Sequence, residues 1–289
     1  MKILVVYKKS QLDIYKEKDS LDSLPLEVLA EFSNAHNAND LTLNMVFESL
    51  GVKGLDWEPC YRADLTKRKT EGKLVITVGG DGTVLDASHF ISDAILLGVN
   101  SDMARSVGFL CAAGQENFVE VLDAVLSGTE LPTKLNRIEA DIDGKAFAFP
   151  ALNDLLVCHA NPAAVARYSL TFQGKTEEQR SSGIWISTPT GSTAAMAAAG
   201  GEKLPITDDR LQFKVRELFS SDLVDSSIDA GLTTDELIVT SKMREGQVYI
   251  DGSHYKMPFG IGKKLRISLK GKPLKLILTK EMLERREIF

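Results

Sequence analysis

The sequence has 289 residues, of which 44% are hydrophobic and 26% are charged, the mix of a globular protein that is long enough for two domains. A net charge of -6 without a basic block argues against binding to nucleic acid or to an anionic membrane through the overall field. Three scattered cysteines, Cys60, Cys111 and Cys158, indicate neither a disulfide framework nor a zinc site, and we interpret them as buried, reduced thiols. Neither a targeting segment nor a membrane span is predicted, so we expect a cytoplasmic protein.

The first part of the chain alternates short apolar segments with helical patterns. Strands are predicted at residues 3–7, 73–78 and 94–99. Helices are predicted at residues 26–32, 40–50, 84–91 and 117–126, with Asp40 as an N-cap and with Gly51 and Gly128 as helix ends. This alternation favours an α/β domain, in which a parallel sheet is covered by flanking helices.

From about residue 132 the pattern changes to many short strands separated by turn signals. Alternating residues at 138–142 and the dipeptide Asp143-Gly144 predict a hairpin. Further strands are predicted at 155–157, 168–172, 184–187, 237–240, 248–250 and 265–269. This pattern is typical of an all-β sandwich. An apolar strand at 274–278 is expected to return to the first domain. We therefore predict an α/β domain of residues 1–133 and 271–289 and a sandwich of residues 134–270.

The segment Gly79-Gly80-Asp81-Gly82-Thr83 lies between a predicted strand and a predicted helix. Its glycines allow a tight turn and a close approach of a ligand to backbone amides, which suits a polyphosphate. The spacing is neither that of a P-loop nor that of a dinucleotide fingerprint. An acidic residue in such a turn repels phosphate unless a divalent cation or a proton-accepting role justifies it. We therefore favour Asp81 as a carboxylate that deprotonates an attacking hydroxyl over a solvated aspartate in a glycine turn.

Two further segments place polar groups next to apolar strands. Asn153 and Asp154 interrupt a buried run, and an adjacent amide and carboxylate can bracket a ribose diol or a base edge. A satisfied turn at the start of a strand explains this pair equally well. The hydroxyl-rich loop at 188–194 leads into small residues and suits nucleotide recognition, while a helix cap in a polar loop explains it equally well.

In this order and spacing, the three segments resemble the NAD kinase family. The family pattern is a GGDGT turn, an Asn-acidic pair, a TPTGSTA loop and an Asp-Gly near the end, matched here at 79–83, 153–154, 188–194 and 251–252. The resemblance covers about residues 70–270. The TPTGSTA loop separates this family from phosphofructokinases and from diacylglycerol and sphingosine kinases. The surrounding residues look most like the branch of plant NADH kinases and animal mitochondrial NAD kinases.

The resemblance implies transfer of the ATP γ-phosphate to the adenosine-ribose 2′-hydroxyl of NAD or NADH, with Mg²⁺ or another divalent cation, in a homodimer or higher homo-oligomer. It implies that Asp81 is the catalytic carboxylate and that the rest of the turn, Gly79, Gly80, Gly82 and Thr83, cradles phosphates. It implies that the dinucleotide is bound by Asn153, Asp154, Thr188, Thr190, Thr193 and Ala194. No metal ligands are assigned. The fold that it implies agrees with the two predicted domains.

Two positions depart from the family pattern. Ala195 stands where the family usually has a tyrosine, so an aromatic wall of the dinucleotide pocket is missing. Ser182 replaces an acidic residue that the family uses near the nicotinamide.

Two alternative functions stay open. One is a related kinase that phosphorylates another hydroxyl acceptor, such as a nucleoside, a polyol or a lipid. The other is a non-catalytic NAD(P)-binding sensor.

Overall fold

A computed structural model describes residues 2–219 and 227–287 of the chain. These residues form two compact units. Of the described residues, 2–134 and 274–284 form the first unit, and 135–273 and 285–287 form the second. Within the described ranges, none of the helices has the length and apolar character needed to cross a membrane.

Strands and helices alternate along the first unit. The strands are β1 (Lys2–Tyr7), β2 (Trp57–Tyr61), β3 (Lys73–Gly79) and β4 (Ile95–Asn100). The helices are α1 (Gln11–Glu17), α2 (Leu26–Val52), α3 (Lys67–Thr70), α4 (Asp81–Ser88) and α5 (Phe118–Ser127). The strands pair in parallel in the order β2-β1-β3-β4, and residues 3–6 of β1 are all buried because helices cover the sheet. The predicted α/β domain is confirmed.

The prediction of separate helices at 26–32 and 40–50 is wrong, because these residues belong to one continuous helix, α2. Residues 33–39 contain small and polar side chains but neither Pro nor Gly, so the backbone is not forced to break there. Asp40 is therefore not an N-cap. It lies in the middle of α2, and its Oδ2 lies 3.4 Å from Nε2 of His36, one turn earlier. Gly51 is also inside the helix.

Strands dominate the chain from residue 133 onward. They are β5 (Thr133–Ile142), β6 (Lys145–Ala146), β7 (Asp154–His159), β8 (Ala166–Phe172), β9 (Lys175–Ser181), β10 (Gly183–Ser187), β11 (Leu211–Arg216), β12 (Ala230–Thr233), β13 (Leu237–Ser241), β14 (Gly246–Ile250), β15 (Tyr255–Pro258) and β16 (Lys264–Leu276). A short helix, α6 (Ala195–Ala198), follows β10, and α7 (Lys280–Glu287) follows β16. The predicted hairpin lies between β5 and β6, where Asp143 and Gly144 both have positive φ angles.

Two sheets enclose the core of the second unit. One has the strand order β12-β11-β10-β7-β14-β15, and the other joins β9, β8, β13 and the first part of β16. Side chains from both sheets share one buried cluster, with Ile186 and Val248 from the first and Tyr168 and Val239 from the second. This arrangement is a β-sandwich, so the prediction of an all-β sandwich is confirmed.

Residues 274–278, predicted as a strand of the first domain, include the end of β16. Lys275 and Leu276 pair in parallel with Ile95 and Leu96 of β4. The apolar side chains of this segment are fully buried. The end of β16 therefore adds a short strand to the parallel sheet of the first unit.

Candidate active site

The glycine turn stands at the carboxyl end of β3, where α4 begins. Gly80 is the N-cap residue, so Asp81, Gly82 and Thr83 form the first turn of α4, one turn earlier than predicted. The first N–H groups of a helix have no partners within the helix and carry the positive end of its dipole. The turn therefore has the anion-binding geometry that its sequence predicts.

Gly79 and Thr83 pack closely inside this turn. A Cβ atom at Gly79 would lie 2.2 Å from Oγ1 of Thr83, so any larger residue would displace that side chain. Thr83 is only 2% exposed, and its Oγ1 has no hydrogen-bond partner within the described residues. A buried hydroxyl without a partner is unfavourable, and a bound phosphate oxygen would satisfy it.

Asp81 is tied to the loop that follows β4. Its Oδ1 accepts a hydrogen bond from the N–H of Leu110 at 2.7 Å, and its Oδ2 accepts one from the N–H of Phe109 at 3.0 Å. A carboxylate oxygen can accept two hydrogen bonds, so each oxygen keeps acceptor capacity. Asp81 is therefore held in one orientation while it can still bind a substrate hydroxyl or a cation.

Residues 101–110, here called the β4 loop, pack against the glycine turn. Asn100 anchors this loop, because its Nδ2 donates to the carbonyl of Ser106 at 2.9 Å and its Oδ1 accepts from the N–H of Asp102 at 3.1 Å. Oγ of Ser106 lies 2.8 Å from the place where a Cβ atom of Gly80 would stand. The loop and the turn are therefore fitted to each other.

Charged side chains surround the carboxyl ends of the parallel strands. Arg62, after β2, forms an ion pair with Asp86 of α4 at 2.7 Å, and Arg105 of the β4 loop forms one with Asp102, also at 2.7 Å. Lys8 follows β1, and its ammonium group makes no hydrogen bond or ion pair within the described residues. Burial lowers the pKa of Lys8, and the nearby Arg62 lowers it further, while Asp102 acts in the opposite direction.

The three cysteines are free; Cys60 and Cys111 are buried as predicted, whereas Cys158 is only partly buried. Burial raises the pKa of Cys60, Cys111 and Cys158, and the Asp81 carboxylate contributes to the rise at Cys111. A raised pKa disfavours the reactive thiolate, so these thiols are not expected to act as nucleophiles.

In the second unit, the structure brings the Asn153-Asp154 pair together with the predicted loop at 188–194. The carbonyl of Asn153 accepts the N–H of Thr188 at 2.9 Å, and the Thr188 hydroxyl donates to the carbonyl of Leu152 at 2.6 Å. A Cβ atom at Gly191 would lie 2.2 Å from the Asn153 carbonyl oxygen, so this approach requires glycine. The hydroxyl of Thr188 also accepts the N–H of Gly191 at 3.1 Å, and this buried side chain therefore shapes the loop.

Two buried polar atoms of this region have no hydrogen-bond partner in the part of the chain that the structure describes. They are Oδ1 of Asn153 and Oγ1 of Thr190. Such atoms are rare in folded proteins, and a ligand is one explanation for them. Thr193 is half-buried and Ala194 is exposed at the end of the same helical turn, so both are accessible to a ligand.

Asp251 organises the backbone at the start of β7. Its Oδ2 accepts the N–H of Leu152 at 2.8 Å, and its Oδ1 accepts the N–H groups of Asn153 and Asp154 at 2.7 and 3.0 Å. Burial lowers the pKa of Arg137 to about 10, and the nearby Asp251 carboxylate acts against this shift. The carboxylate therefore fixes the pair through three N–H bonds, with a buried cation close by.

A cavity of about 350 Å³ adjoins the pair and is lined by Asp154, Leu156, Trp185, Tyr249, Gly252 and Ser253. Leu156 pairs with Trp185 on one side and with Tyr249 on the other, so the three residues form a row across the sheet. Burial, and next the nearby Asp251 carboxylate, raise the pKa of Asp154 to about 7. Aromatic rings beside a carboxyl group that titrates near neutral pH are typical of small-molecule sites.

The predicted residues therefore form two groups, the glycine turn in the first unit and the residues around Asn153 in the second. Sequence reasoning did not assign a role to Asp251, although the Asp251-Gly252 dipeptide was a visible signal. It also did not find Trp185 and Tyr249. These two aromatic residues occupy ordinary strand positions, and only the strand pairing brings them beside Asp154.

A protein-family model described as the ATP-NAD kinase N-terminal domain matches residues 29–130. The chain is 39% identical over 267 residues to a probable NADH kinase of Oryza sativa subsp. japonica, which covers 84% of this chain and 82% of that protein. It is 38% identical over 256 residues to an NADH kinase of Arabidopsis thaliana, which covers 80% of this chain and 81% of that protein. The crystal structure of an NAD kinase from Archaeoglobus fulgidus in complex with ATP matches the fold with a TM-score of 0.73 at 18% identity, over 99% of this chain and 96% of that chain.

The structural match confirms the fold class. The extent and identity of the matches to the two plant proteins confirm the resemblance that rests on the four motifs. The chain therefore belongs to the NAD kinase family and is a kinase.

Proposed function

We propose that this chain transfers the γ-phosphate of ATP to the 2′-hydroxyl of the adenosine ribose of NAD or NADH and so produces NADP or NADPH. The observation that carries the proposal is the glycine turn between β3 and α4. It combines the first-turn amides of a helix, the unpartnered Thr83 hydroxyl and the oriented Asp81 carboxylate. The similarity to two plant proteins named as NADH kinases, one of them as probable, supports a nicotinamide dinucleotide as the acceptor.

The phosphates of ATP bind at the glycine turn in this proposal. The amides of Asp81 and Gly82 and the hydroxyl of Thr83 offer donors to phosphate oxygens. Gly79 lets the backbone and the Thr83 side chain pack without a void, which keeps these donors in place. Prepositioned donors are the main contribution that a protein makes to phosphoryl transfer, because the reaction needs little covalent work from side chains.

The residues at the turn fit a divalent cation that arrives with ATP. The described residues contain no group of three or more His, Cys, Asp and Glu side chains that could hold a metal ion. Mg²⁺ at kinase sites needs no such group, because one or two carboxylates, waters and substrate phosphates bind it. One oxygen of Asp81 would contact the ion while the other remains available to take a proton, since each oxygen accepts only one N–H bond and keeps acceptor capacity. When bound, Mg²⁺ neutralises charge on the phosphates.

Asp81 is the proposed general base. Its carboxylate takes the proton from the 2′-hydroxyl as the ribose oxygen forms a bond to the γ-phosphorus, while the bond from that phosphorus to the β,γ-bridging oxygen breaks and ADP leaves. The N–H groups of Phe109 and Leu110 hold the carboxylate still during this step. A base positioned in this way contributes about 10²–10⁴-fold to the rate.

The second unit binds the dinucleotide in this proposal. Oδ1 of Asn153 and Oγ1 of Thr190 are the unpartnered atoms that adenosine would satisfy. Asp154 offers a carboxyl group to the ribose, and Thr193 and Ala194 are accessible in the loop that contacts Asn153. The unused hydrogen-bonding capacity of this cluster favours ligand binding over a turn that is satisfied by itself.

Trp185 and Tyr249 replace the aromatic surface that is missing at Ala195 in this proposal. Both rings line the cavity beside Asp154, on strands that flank β7. An aromatic face can stack on a flat base or a nicotinamide ring. The departure at Ala195 is therefore compatible with a dinucleotide acceptor.

The test is an end-point assay of the purified chain with ATP, Mg²⁺ and either NAD or NADH. We expect NADP or NADPH to form. Asp81→Asn should lower turnover by about 10²–10⁴-fold while it keeps ATP binding, measured by calorimetry. The matched control is Asp123→Asn, because Asp123 lies on α5 and pairs with Lys53 on the surface.

Other results would point to the alternatives. ATP consumption with a nucleoside, a polyol or a lipid, and none with NAD or NADH, would identify a related kinase with another acceptor. NAD(P) binding without any turnover would identify a sensor.

We further propose a homodimer or higher homo-oligomer, as the family resemblance implies, and a cytoplasmic location, as expected from the sequence. Light scattering after gel filtration tests the oligomer, because a measured mass of 31.6 kDa would identify a monomer and contradict it. Imaging of the tagged full chain in cells of its source tests the location, and accumulation in an organelle would contradict it.

A further inference from the structure

We propose that the ammonium group of Lys8 binds the β- and γ-phosphates of ATP at the glycine turn. The inference rests on the proposed function, since it takes ATP as the ligand of that turn. It adds a phosphate-binding residue that lies outside the four sequence motifs.

The backbone of Lys8 lies next to the start of the turn. Tyr7 of β1 pairs in parallel with Val78 of β3, so the next residue, Lys8, stands opposite Gly79. Neighbouring strands lie about 4.8 Å apart. Open α/β sheets bind their ligands outside the carboxyl ends of the strands, which is where both residues lie.

Lys8 interacts with charged groups from two neighbouring loops. Its ammonium group is close enough to interact electrostatically with both Arg62 and Asp102. Arg62 follows β2 and Asp102 follows β4, the strands on the two sides of the β1-β3 pair. The ammonium group of Lys8 is therefore influenced by charges on both sides, and its backbone stands opposite Gly79.

Within the described residues, Lys8 is the cation of this region that has no counterion in contact. Arg62 and Arg105 are neutralised by Asp86 and Asp102, each at 2.7 Å, whereas the Lys8 ammonium makes no ion pair. Partial burial of an unpaired ammonium is unfavourable. A phosphate group supplies the missing negative charge and acceptors for the three N–H donors of lysine.

The backbone after Lys8 is fixed without any ligand. Ser10 caps α1, because its hydroxyl accepts the N–H of Asp13 at 3.1 Å and its own N–H donates to the Asp13 carboxylate at 3.1 Å. The lysine is thus held between β1 and a capped helix start, and less entropy is lost when it binds phosphate.

The test compares Lys8→Met with the matched control Lys9→Met. Lys9 pairs with Glu17 at 2.5 Å and lies 5.1 Å from the centre of the Tyr61 ring, so its loss leaves the proposed phosphate contact in place. Calorimetry without any dinucleotide measures the Kd for ATP and for AMP. We expect Lys8→Met to raise the Kd for ATP about 10- to 100-fold and to leave the Kd for AMP unchanged, since AMP lacks the contacted phosphates.

Lys8→Arg keeps the charge and should restore the Kd for ATP to within about threefold of the wild-type value. If Lys8→Met does not fold, Lys8→Gln takes its place as the neutral variant and is compared with Lys8→Arg. An unchanged Kd for ATP in the neutral variant, or an equal loss for ATP and AMP, would overturn the inference.

Failure of the two proposals can be told apart. Lys8-dependent ATP binding without formation of NADP or NADPH would contradict the proposed function alone. Formation of NADP or NADPH with normal ATP binding in Lys8→Met would contradict the role of Lys8 alone.

Discussion

Asp251→Asn tests how the start of β7 is held. The native carboxylate accepts three N–H bonds at 2.7–3.0 Å, from Leu152, Asn153 and Asp154. An asparagine in the same position keeps one oxygen, which can still accept from Asn153 and Asp154. Its amide nitrogen would face the N–H of Leu152, and two donors cannot form a hydrogen bond.

The expected cost has two parts. The Leu152 N–H loses its acceptor at a buried site, which costs about 1–3 kcal/mol. The other two bonds change from a charged to a neutral acceptor, which weakens each by about 1 kcal/mol. We therefore expect the free energy of unfolding of the second unit to fall by about 3–5 kcal/mol.

The assay uses the position of the two tryptophans. Trp57 lies in the first unit and Trp185 in the second. In a Trp57→Phe background, intrinsic fluorescence during urea unfolding reports on the second unit alone. Steady-state kinetics should show at least a tenfold rise in the KM for NAD(H), because the Asn153-Asp154 backbone moves, while calorimetry should show an unchanged Kd for ATP.

The control is Asp235→Asn, since Asp235 is an exposed aspartate of the same unit. A loss below about 1 kcal/mol in Asp251→Asn would show that the three N–H bonds do not hold the strand start. An equal loss in Asp235→Asn would show that the effect is not specific to these bonds. Either result would refute the reasoning.

Three further changes have defined outcomes. Thr83→Val removes an unpartnered hydroxyl, so the melting temperature should not fall while the Kd for ATP rises about tenfold; a normal Kd would remove Thr83 from the site. Ala195→Tyr should change the KM for NAD(H) more than the Kd for ATP, and the reverse pattern would place the acceptor elsewhere. The pKa of Asp154 is raised from 3.8 to about 7 on folding, so the folded state binds more protons between these pH values. The free energy of unfolding of the wild type minus that of Asp154→Asn should therefore decrease from pH 4 to pH 7 and stay constant at higher pH. A difference that does not change with pH would contradict the raised pKa of Asp154.

Much of the fold could be predicted because buried strands have a recognisable pattern of apolar residues in the sequence. The strands of the parallel sheet are continuous apolar segments, and the sandwich strands alternate, as in residues 138–142 of β5. The alternation of Leu211, Phe213 and Val215 carries the same signal for β11, which the sequence analysis left unassigned.

Other elements have no such pattern of apolar residues. β9 has the sequence KTEEQRS and, among the described strands, pairs with β8 alone at the end of its sheet. Only Gln179 and Ser181 of this strand are therefore buried, and most of its residues are polar. The continuity of α2 depends on the absence of a strong breaker over residues 33–39, and a run of small polar residues does not reveal this.

The candidate site also has a part that could be predicted from the sequence and a part that could not. The glycine turn is a local motif, and the turn geometry follows from its own five residues. The N–H donors of Asp81 lie 28 and 29 residues further on, and strand pairing alone brings the backbone of Lys8 opposite Gly79. Contacts of this kind depend on tertiary structure, so a linear motif does not contain them.

The end of β16, in residues 274–278, pairs in parallel with β4, and the other parallel strands of the first unit all lie before residue 101. At about 5–20 residues per second, synthesis of the intervening chain takes about 9–35 s. Throughout that interval the outer edge of β4 is without its final partner, and an unpaired apolar strand is a template for pairing with another copy. Chaperones that are present during synthesis should therefore improve the yield of this chain, because they protect the edge of β4 while its partner is still missing.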